Sequence, residues 1–212
     1  MSGVDPFANA LTSLDALAEL YPAAKDRAWA KDVGTLDAPV RALIAASPLV
    51  VVASHDEDGR ADATPRGGPA GFVTVLDDDH LAIPDATGNN RLDTLRNIVV
   101  TGHAGLLFMI PGRDQTLRVN GRARVTTAPE VLERIGAVGK PPRTAIVVAA
   151  DEVYAHCPKA FIRSSLWKPE SWPSLDGVPT AAEVMLAHQQ DPTRTLAEEE
   201  AYLDEALRTR LA

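Results

Sequence analysis

The chain of 212 residues contains a single cysteine, Cys157. One thiol excludes an intramolecular disulfide and any metal cage built from several thiolates. Long apolar runs are missing as well, and none approaches the roughly 20 residues that a membrane-spanning helix needs. The opening MSGVDPFANALTSLDAL has neither the basic start nor the apolar centre of a signal peptide. These absences lead to the expectation of a cytoplasmic protein with no membrane attachment. Positive charge is in deficit: 21 basic against 29 acidic residues gives a formal net charge of −8. That argues against general nucleic-acid binding, while leaving room for a local anion pocket. His55, His80, His103, His156 and His188 show no metal-ligand spacing, so no metal site is expected. Gly-x-Ser-x-Gly, the P-loop and the Rossmann glycine pattern are all absent. No internal repeat or low-complexity segment is found.

What is present is an ordinary globular composition, 45% hydrophobic and 24% charged, in a chain long enough for a proper core. Residues 1–36 read as a loosely organised helical leader, with one short amphipathic helix around 11–20. Asp37 before Ala38-Pro39-Val40 opens the next helix, with Val40, Leu43 and Ile44 on its apolar side. From Leu49 the texture changes to short strands separated by turn signals. Strands are expected over 49–54, 61–65, 72–76, 81–84, 105–110, 116–127 and 144–154. In the sixth, Leu117, Val119, Gly121, Ala123 and Val125 alternate with Arg118, Asn120, Arg122 and Arg124, which marks one wet or ligand-facing side. A short helix is expected over 129–138. The pattern is mainly β with peripheral helices: six to seven antiparallel strands, suggesting a small barrel. This central domain spans 37–170, and 171–212 form a helical extension. There, Thr180 with Glu183 and Thr195 with Glu198 read as capping boxes opening helices at 181–189 and 196–209. The acidic last helix is read as a solvated face or a contact surface for a second subunit.

Three clusters carry candidate chemistry. In Thr64-Pro65-Arg66-Gly67-Gly68 a strand ends in a glycine turn bearing an arginine, where backbone can approach a ligand closely. In GNNRLDTLRN (88–97), Leu92, Leu95 and Val99 fall at helical spacing, Asn89 or Asn90 is placed to cap, and Asp93 completes a loose capping box. Arg91 then stands on the opening turn, where the helix end is already partly positive. Helix-start N–H groups, amides and a guanidinium make a phosphate site; the bland alternative is a capped helix with Arg91 in water. The third cluster, CPKAFIRSSLW (157–167), is a short basic helix ending in a tryptophan able to stack on a flat ring. Its alternative is simple packing of Trp167, with Lys159 and Arg163 solvated.

Taken in order, the run from TPRGG through GNNRLDTLRNI, LLFMIPG and LRVNGRA resembles the pyridoxamine 5′-phosphate oxidase-like flavoproteins, which are FMN-binding split β-barrels. The later CPKAFIRSSLW is similar to a segment of one of their subgroups. The resemblance covers roughly residues 35–170 and implies a homodimer with FMN at the subunit interface. Asn89, Asn90 and Arg91 fall on the family's phosphate-binding stretch. Thr64, Arg66 and Gly67 fall on the strand beside the flavin, and Thr116 and Arg118 on the strand opposite. Arg163, Ser164 and Trp167 are expected to close over the cofactor from the second subunit. The Arg-x-x-Leu-Leu-Lys strand of the vitamin B6 oxidases is replaced here by Ala63-Thr64-Pro65-Arg66-Gly67-Gly68, and their carboxy-terminal Trp-Arg segment has no counterpart. The expectation is therefore an FMN-dependent oxidoreductase acting on an unidentified small molecule, and not pyridoxamine phosphate oxidation. A non-catalytic flavin- or haem-binding redox or stress protein, a haem-degrading oxygenase and a deazaflavin cofactor are the alternatives.

Overall fold

In the computed structural model of the chain, residues 4–85, 88 and 90–210 are described. Among them, seven strands form one antiparallel sheet: β1 (Leu49–His55), β2 (Ala61–Gly67), β3 (Thr74–Val75), β4 (His80–Pro84), β5 (His103–Met109), β6 (Leu117–Thr126) and β7 (Ala145–Ala155). Their order is β2-β1-β5-β6-β7-β4-β3, so β2 and β3 lie at the two ends and do not pair. The sheet is not closed, which makes the fold mainly β and a split barrel. All seven expected strands are present, with ends shifted by one or two residues. β2 runs on through Arg66 and Gly67, which pair with Val50 and Leu49. The stretch expected at 72–76 keeps only two strand residues, because the Phe72 N–H turns back to the Pro69 carbonyl instead of joining the ladder.

Contacts divide the chain into two units, Met1–Asp32 and Val33–Ala212. The first holds α1 (Leu14–Leu20), capped by the Ser13 hydroxyl, and α2 (Asp26–Trp29), which the sequence pattern did not reveal; neither buries a residue. The second unit holds the sheet with α3 (Ala38–Ala46), α4 (Asp93–Thr101), α5 (Pro129–Leu132), α6 (Lys159–Ser164), α7 (Ala181–Gln189) and α8 (Leu196–Arg210). α3 starts as expected, with the Asp37 carboxylate accepting the Val40 N–H at 2.9 Å. α5 is shorter than the expected 129–138, since the chain beyond it enters a tight turn with a bridge between Val138 and Lys140. Both carboxy-terminal capping boxes form: Thr180 exchanges hydrogen bonds with Glu183, and Thr195 with Glu198. The acidic last helix departs from a purely solvated face at Glu199, which is fully buried. Its carboxylate lies 2.7 Å from Arg194 Nε, and the Arg194 guanidinium stands over the Tyr202 ring. No helix among the described residues is long and apolar enough to cross a membrane.

The main core lies on one face of the sheet, and a smaller cluster of Ala82, Ile135 and Ala145 covers the other face at β4 and β7. Val50 and Val52, Leu81 and Ile83, Leu106 and Phe108, Leu117, Val119 and Val148 meet Val40 and Ile44 of α3 and Ile98 of α4. Burying each such side chain contributes about 1.5–3 kcal/mol, and that is what holds these short strands together. The β6–β7 pair shifts register between Asn120 and Gly121. A side chain at Gly121 would run into the Ala149 carbonyl of the neighbouring strand, so the irregularity requires glycine. Gly121→Ala is expected to cost about 3 kcal/mol, because backbone on the adjacent strand has to shift. Urea unfolding measures it, and an unchanged midpoint would contradict this account of the irregularity.

Candidate functional site

Alternation along β2 decides which of its residues meet solvent. Asp62, Thr64 and Arg66 are half-buried on one face, while Ala61, Ala63, Pro65 and Gly67 are exposed on the other. α4 lies against the inner set. The hydroxyls of Thr64 and Thr94 both donate to Asp62 Oδ2, at 3.0 and 2.8 Å, and stand 3.1 Å from each other. Thr94 is buried, so this cluster seals the contact between the first turn of α4 and the end strand. Asn97 adds a second tie, its amide donating to Ser54 Oγ on β1 at 3.0 Å.

The start of α4 differs from the capping expected. The helix begins at Asp93, its cap position is Leu92, and no side chain caps it. Asn90 and Leu92 both have left-handed backbone, at φ 63° and 61°. Asparagine tolerates that region, whereas for leucine it costs about 1–2 kcal/mol. Strain of this kind concentrates where backbone is shaped for a ligand. Arg91 therefore precedes the helix and is not on its first turn; its Nε pairs with the Asp93 carboxylate. Asp93 supplies the negative charge whose absence made an arginine here look misplaced. The apolar face also differs: Thr94 and Ile98 are buried and Leu95 packs on the core, while Leu92 and Val99 are exposed. Asn89 lies outside the described residues.

Between β2 and the start of α4 opens a groove of about 930 Å³. Thr64, Arg66, Gly67, Asn90 and Arg91 line it together, so the structure joins two of the three sequence clusters. Arg66 is three-quarters buried; its Nη1 is 3.7 Å from Asp85 Oδ1, and its Nε is buried without a hydrogen-bond acceptor. The remaining candidates stand elsewhere in the chain. Thr116 is buried, and its carbonyl accepts the His156 N–H at 2.7 Å. Arg118 donates to the Tyr154 hydroxyl at 3.0 Å and lies over that ring. Arg163 and Ser164 sit on α6, where Ser164 Oγ donates to the Phe161 carbonyl. Trp167 stacks on Phe161 with ring centres 5.7 Å apart, and its indole donates to the Arg113 carbonyl. None of these five lines the groove. Sequence reasoning missed Asp62, Asp85, Lys140 and Arg143, which do line it. The pair of basic residues flanking Pro141-Pro142 was the available signal for the last two. Among the described residues no group of His, Cys, Asp or Glu is placed to hold a metal ion, and Cys157 is exposed.

The groove thus joins Arg91, which the resemblance implied for a phosphate, to Arg66, which it implied for the strand beside the flavin. The family model for pyridoxamine 5′-phosphate oxidase matches residues 36–157, more than half of the chain. The chain belongs to this family. The matched region of the pyridoxamine 5′-phosphate oxidase fold contains all seven strands and both walls of the groove. Comparison with curated proteins gives no match. Among solved structures, HupZ of Group A Streptococcus is similar at 20% identity over 56% of this chain and 92% of its own, with a TM-score of 0.45. A Clostridium acetobutylicum protein related to general stress protein 26, of the pyridoxinephosphate oxidase family, is 15% identical over 56% and 85%, with a TM-score of 0.40. The FAD binding protein of Mycobacterium smegmatis is 13% identical over 57% and 95%, with a TM-score of 0.41.

The tie between Thr94, Thr64 and Asp62 makes a direct prediction. Thr94→Val keeps the shape and removes one donor from the carboxylate, so it should destabilise the protein by about 1–3 kcal/mol. Thr94→Ser should recover most of that loss. Equal unfolding midpoints for the Val and Ser variants would show that the hydroxyl is not what holds α4 to β2.

Proposed function

We propose that the protein is a flavin-dependent oxidoreductase that holds FMN by its phosphate between Arg66 and Arg91 and acts on a small molecule. The observation that carries this reading is the Arg66 guanidinium, its side chain three-quarters buried in the groove wall and its Nε lacking an acceptor. An unsatisfied buried donor costs about 1–3 kcal/mol, and an anionic oxygen at that place removes the cost. Arg91 and Asn90 line the same groove, and the start of α4 beside them has no side-chain cap. The groove volume falls within the range of cofactor sites. When bound, flavin supplies hydride and electron transfer at its ring system. The chain's own part is to fix the phosphate, to let the ring approach along Thr64 and Gly67, and to place cations that favour the anionic reduced form. Pyridoxamine phosphate oxidation is not part of this reading, since the Arg-x-x-Leu-Leu-Lys strand is replaced.

The reading includes a homodimer. Cross-strand register aligns Pro65, Val51, Leu107, Arg118 and Tyr154 in one row across four strand pairings, on the face away from the core. Leu49 and Met109 form a neighbouring pair on the same face. This surface is mostly apolar and half-covered, which suits a second copy of the chain. With that copy in place, Thr116 and Arg118 border the cofactor, and Arg163, Ser164 and Trp167 of the partner subunit close over it.

The absorption spectrum of the purified protein tests the cofactor: two flavin bands are expected, and a Soret band would refute it in favour of haem. Anaerobic reduction by NADH or NADPH followed by reoxidation is expected, and its failure with both donors would leave a binder in place of an enzyme. Arg91→Ala should weaken FMN binding by about 2 kcal/mol, roughly thirtyfold in Kd, as measured by flavin fluorescence quenching. Leu107→Glu should shift sedimentation from dimer to monomer; an unchanged dimer would place the interface on another face.

A further inference from the structure

Two buried polar atoms that lack a hydrogen-bond partner among the described residues flank one residue, Asp85. They are Arg66 Nε and the hydroxyl oxygen of Thr144. Asp85 approaches the first with its side chain: Oδ1 is 3.7 Å from Arg66 Nη1, outside hydrogen-bonding distance. Its backbone ties it to the second, the Asp85 N–H donating to the Thr144 carbonyl at 3.0 Å. Buried polar groups are normally satisfied, so two unmet donors beside one carboxylate call for an explanation.

The register of β4 on β7 shows how the three side chains are related. Ile83 lies opposite Ile146 and Pro84 opposite Ala145, so the next facing pair is Asp85 and Thr144. Side chains alternate along a strand. Ile83 and Ile146 enter the main core, while Ala82 and Ala145 belong to the cluster on the other face. Asp85 and Thr144 therefore share the core-side face. Arg66 is on that face too, because it lies opposite the buried Val50. Facing residues have Cβ atoms about 4.5–5.5 Å apart, so one change of the Asp85 χ1 rotamer brings its carboxylate within reach of the Thr144 hydroxyl. Asp85 thus has two places to point: a guanidinium it does not hydrogen-bond, and a hydroxyl whose proton has no acceptor.

We propose that Asp85 is a movable counter-ion of Arg66, and that Thr144 holds it aside when an anion takes its place. An anion on Arg66 repels the Asp85 carboxylate and replaces it at the guanidinium. The carboxylate, turned to Thr144, accepts the hydroxyl proton, so one rearrangement gives both unmet donors an acceptor. A ligand shifts such an equilibrium only by its unequal interaction with the two arrangements, and the Thr144 bond adds to that inequality. Thr144 acts through Asp85 and touches no ligand; it is a positioning residue. The inference deepens the flavin reading and rests on it for the identity of the anion. The test uses full-length protein stripped of ligand, as wild type, Thr144→Val, Thr144→Ser, Asp85→Ala and the double variant Thr144→Val/Asp85→Ala. FMN, followed by fluorescence quenching, and inorganic phosphate, followed by calorimetry, are the two probes.

Thr144→Val is expected to leave the unfolding midpoint of the ligand-free protein unchanged, since the hydroxyl has no partner to lose, yet to weaken both probes about tenfold. Thr144→Ser restores binding. Asp85→Ala tightens binding, and in that background Thr144→Val has no effect, which is the non-additivity that a role through Asp85 requires. Thr144→Val that binds as the wild type does, or that weakens binding equally with and without Asp85, overturns the proposal. If Asp85→Ala does not fold, equal binding by the Val and Ser variants overturns it. FMN binding with a Kd unchanged by Thr144→Val removes this inference and leaves the flavin reading in place. Phosphate binding that follows the expected pattern while FMN does not bind sustains the inference, and the flavin reading alone fails. A wild type that binds neither probe refutes both.

Discussion

One carboxylate, that of Asp62, decides where the groove has its walls. α4 has nine residues, too few to be stable alone, so its position depends on what it docks against. Its apolar contribution is small, chiefly Ile98 with Leu95 beside it. Thr94 is buried and polar, so the helix can dock only where that hydroxyl finds an acceptor. Asp62, already accepting from Thr64, provides it. The opposite end is fixed by other means: Gly102 takes the left-handed cap conformation, and Arg124 donates to its carbonyl at 3.2 Å. A cation there suits the negative end of the helix. With both ends held, Asn90 and Arg91 have little choice but to face Arg66 across the groove.

The sheet serves two purposes because its two faces differ in kind. The inner face carries Val50, Val52, Leu106, Phe108 and Val119 into the core. The outer face is made by the intervening residues of the same strands, so it is fixed by the same registers. A slip of one residue would turn the core outward and break up the row that runs from Pro65 to Tyr154. Among the described strand pairs, the irregularity at Gly121 is where register changes. Before it, Arg118 and Asn120 face Tyr154 and Glu152; after it, Arg122 faces Ala149. Arg122 keeps a polar partner all the same, because Asp151, the β7 residue skipped at the shift, accepts its N–H and lies 3.6 Å from its Nε.

Period-two alternation and turn residues were enough to read all seven strands, since those signals are local. Strand ends were less legible. Whether Arg66 belongs to a strand depends on Val50 across from it, and whether Phe72 does depends on a turn closed by Pro69. The same limit affected α4. Helical spacing singled out Leu92, Leu95 and Val99, but which of its residues were buried was settled by Asp62 and by the core, both distant in sequence. Arg66 and Arg91 were legible as cations in unusual company. That they share a groove was read from motif order, not from the residues themselves. Asp85, Lys140 and Arg143 were missed because nothing in their immediate sequence says what lies opposite.

The charge of the groove also shows why a net negative charge does not exclude the proposed anion site. A net charge of −8 spread over the whole chain acts weakly across more than about 8 Å at physiological salt. What a bound phosphate feels is set by its immediate neighbours. Asp85 and Asp93 lower the free positive charge of the two cradle arginines, so anion binding there is a competition between carboxylate and phosphate. The competition is unequal at the two arginines. Arg91 is mostly exposed, and its pairing with Asp93 is screened by water, so its loss costs little. Arg66 is largely buried, and Asp85 at 3.7 Å stands beyond hydrogen-bonding distance while leaving Nε unmet. In the proposed cradle a phosphate would therefore gain most at Arg66, where the existing partner is poorest and the surroundings driest. Arg91, for all its prominence in the sequence, is the more replaceable half of the proposed cradle.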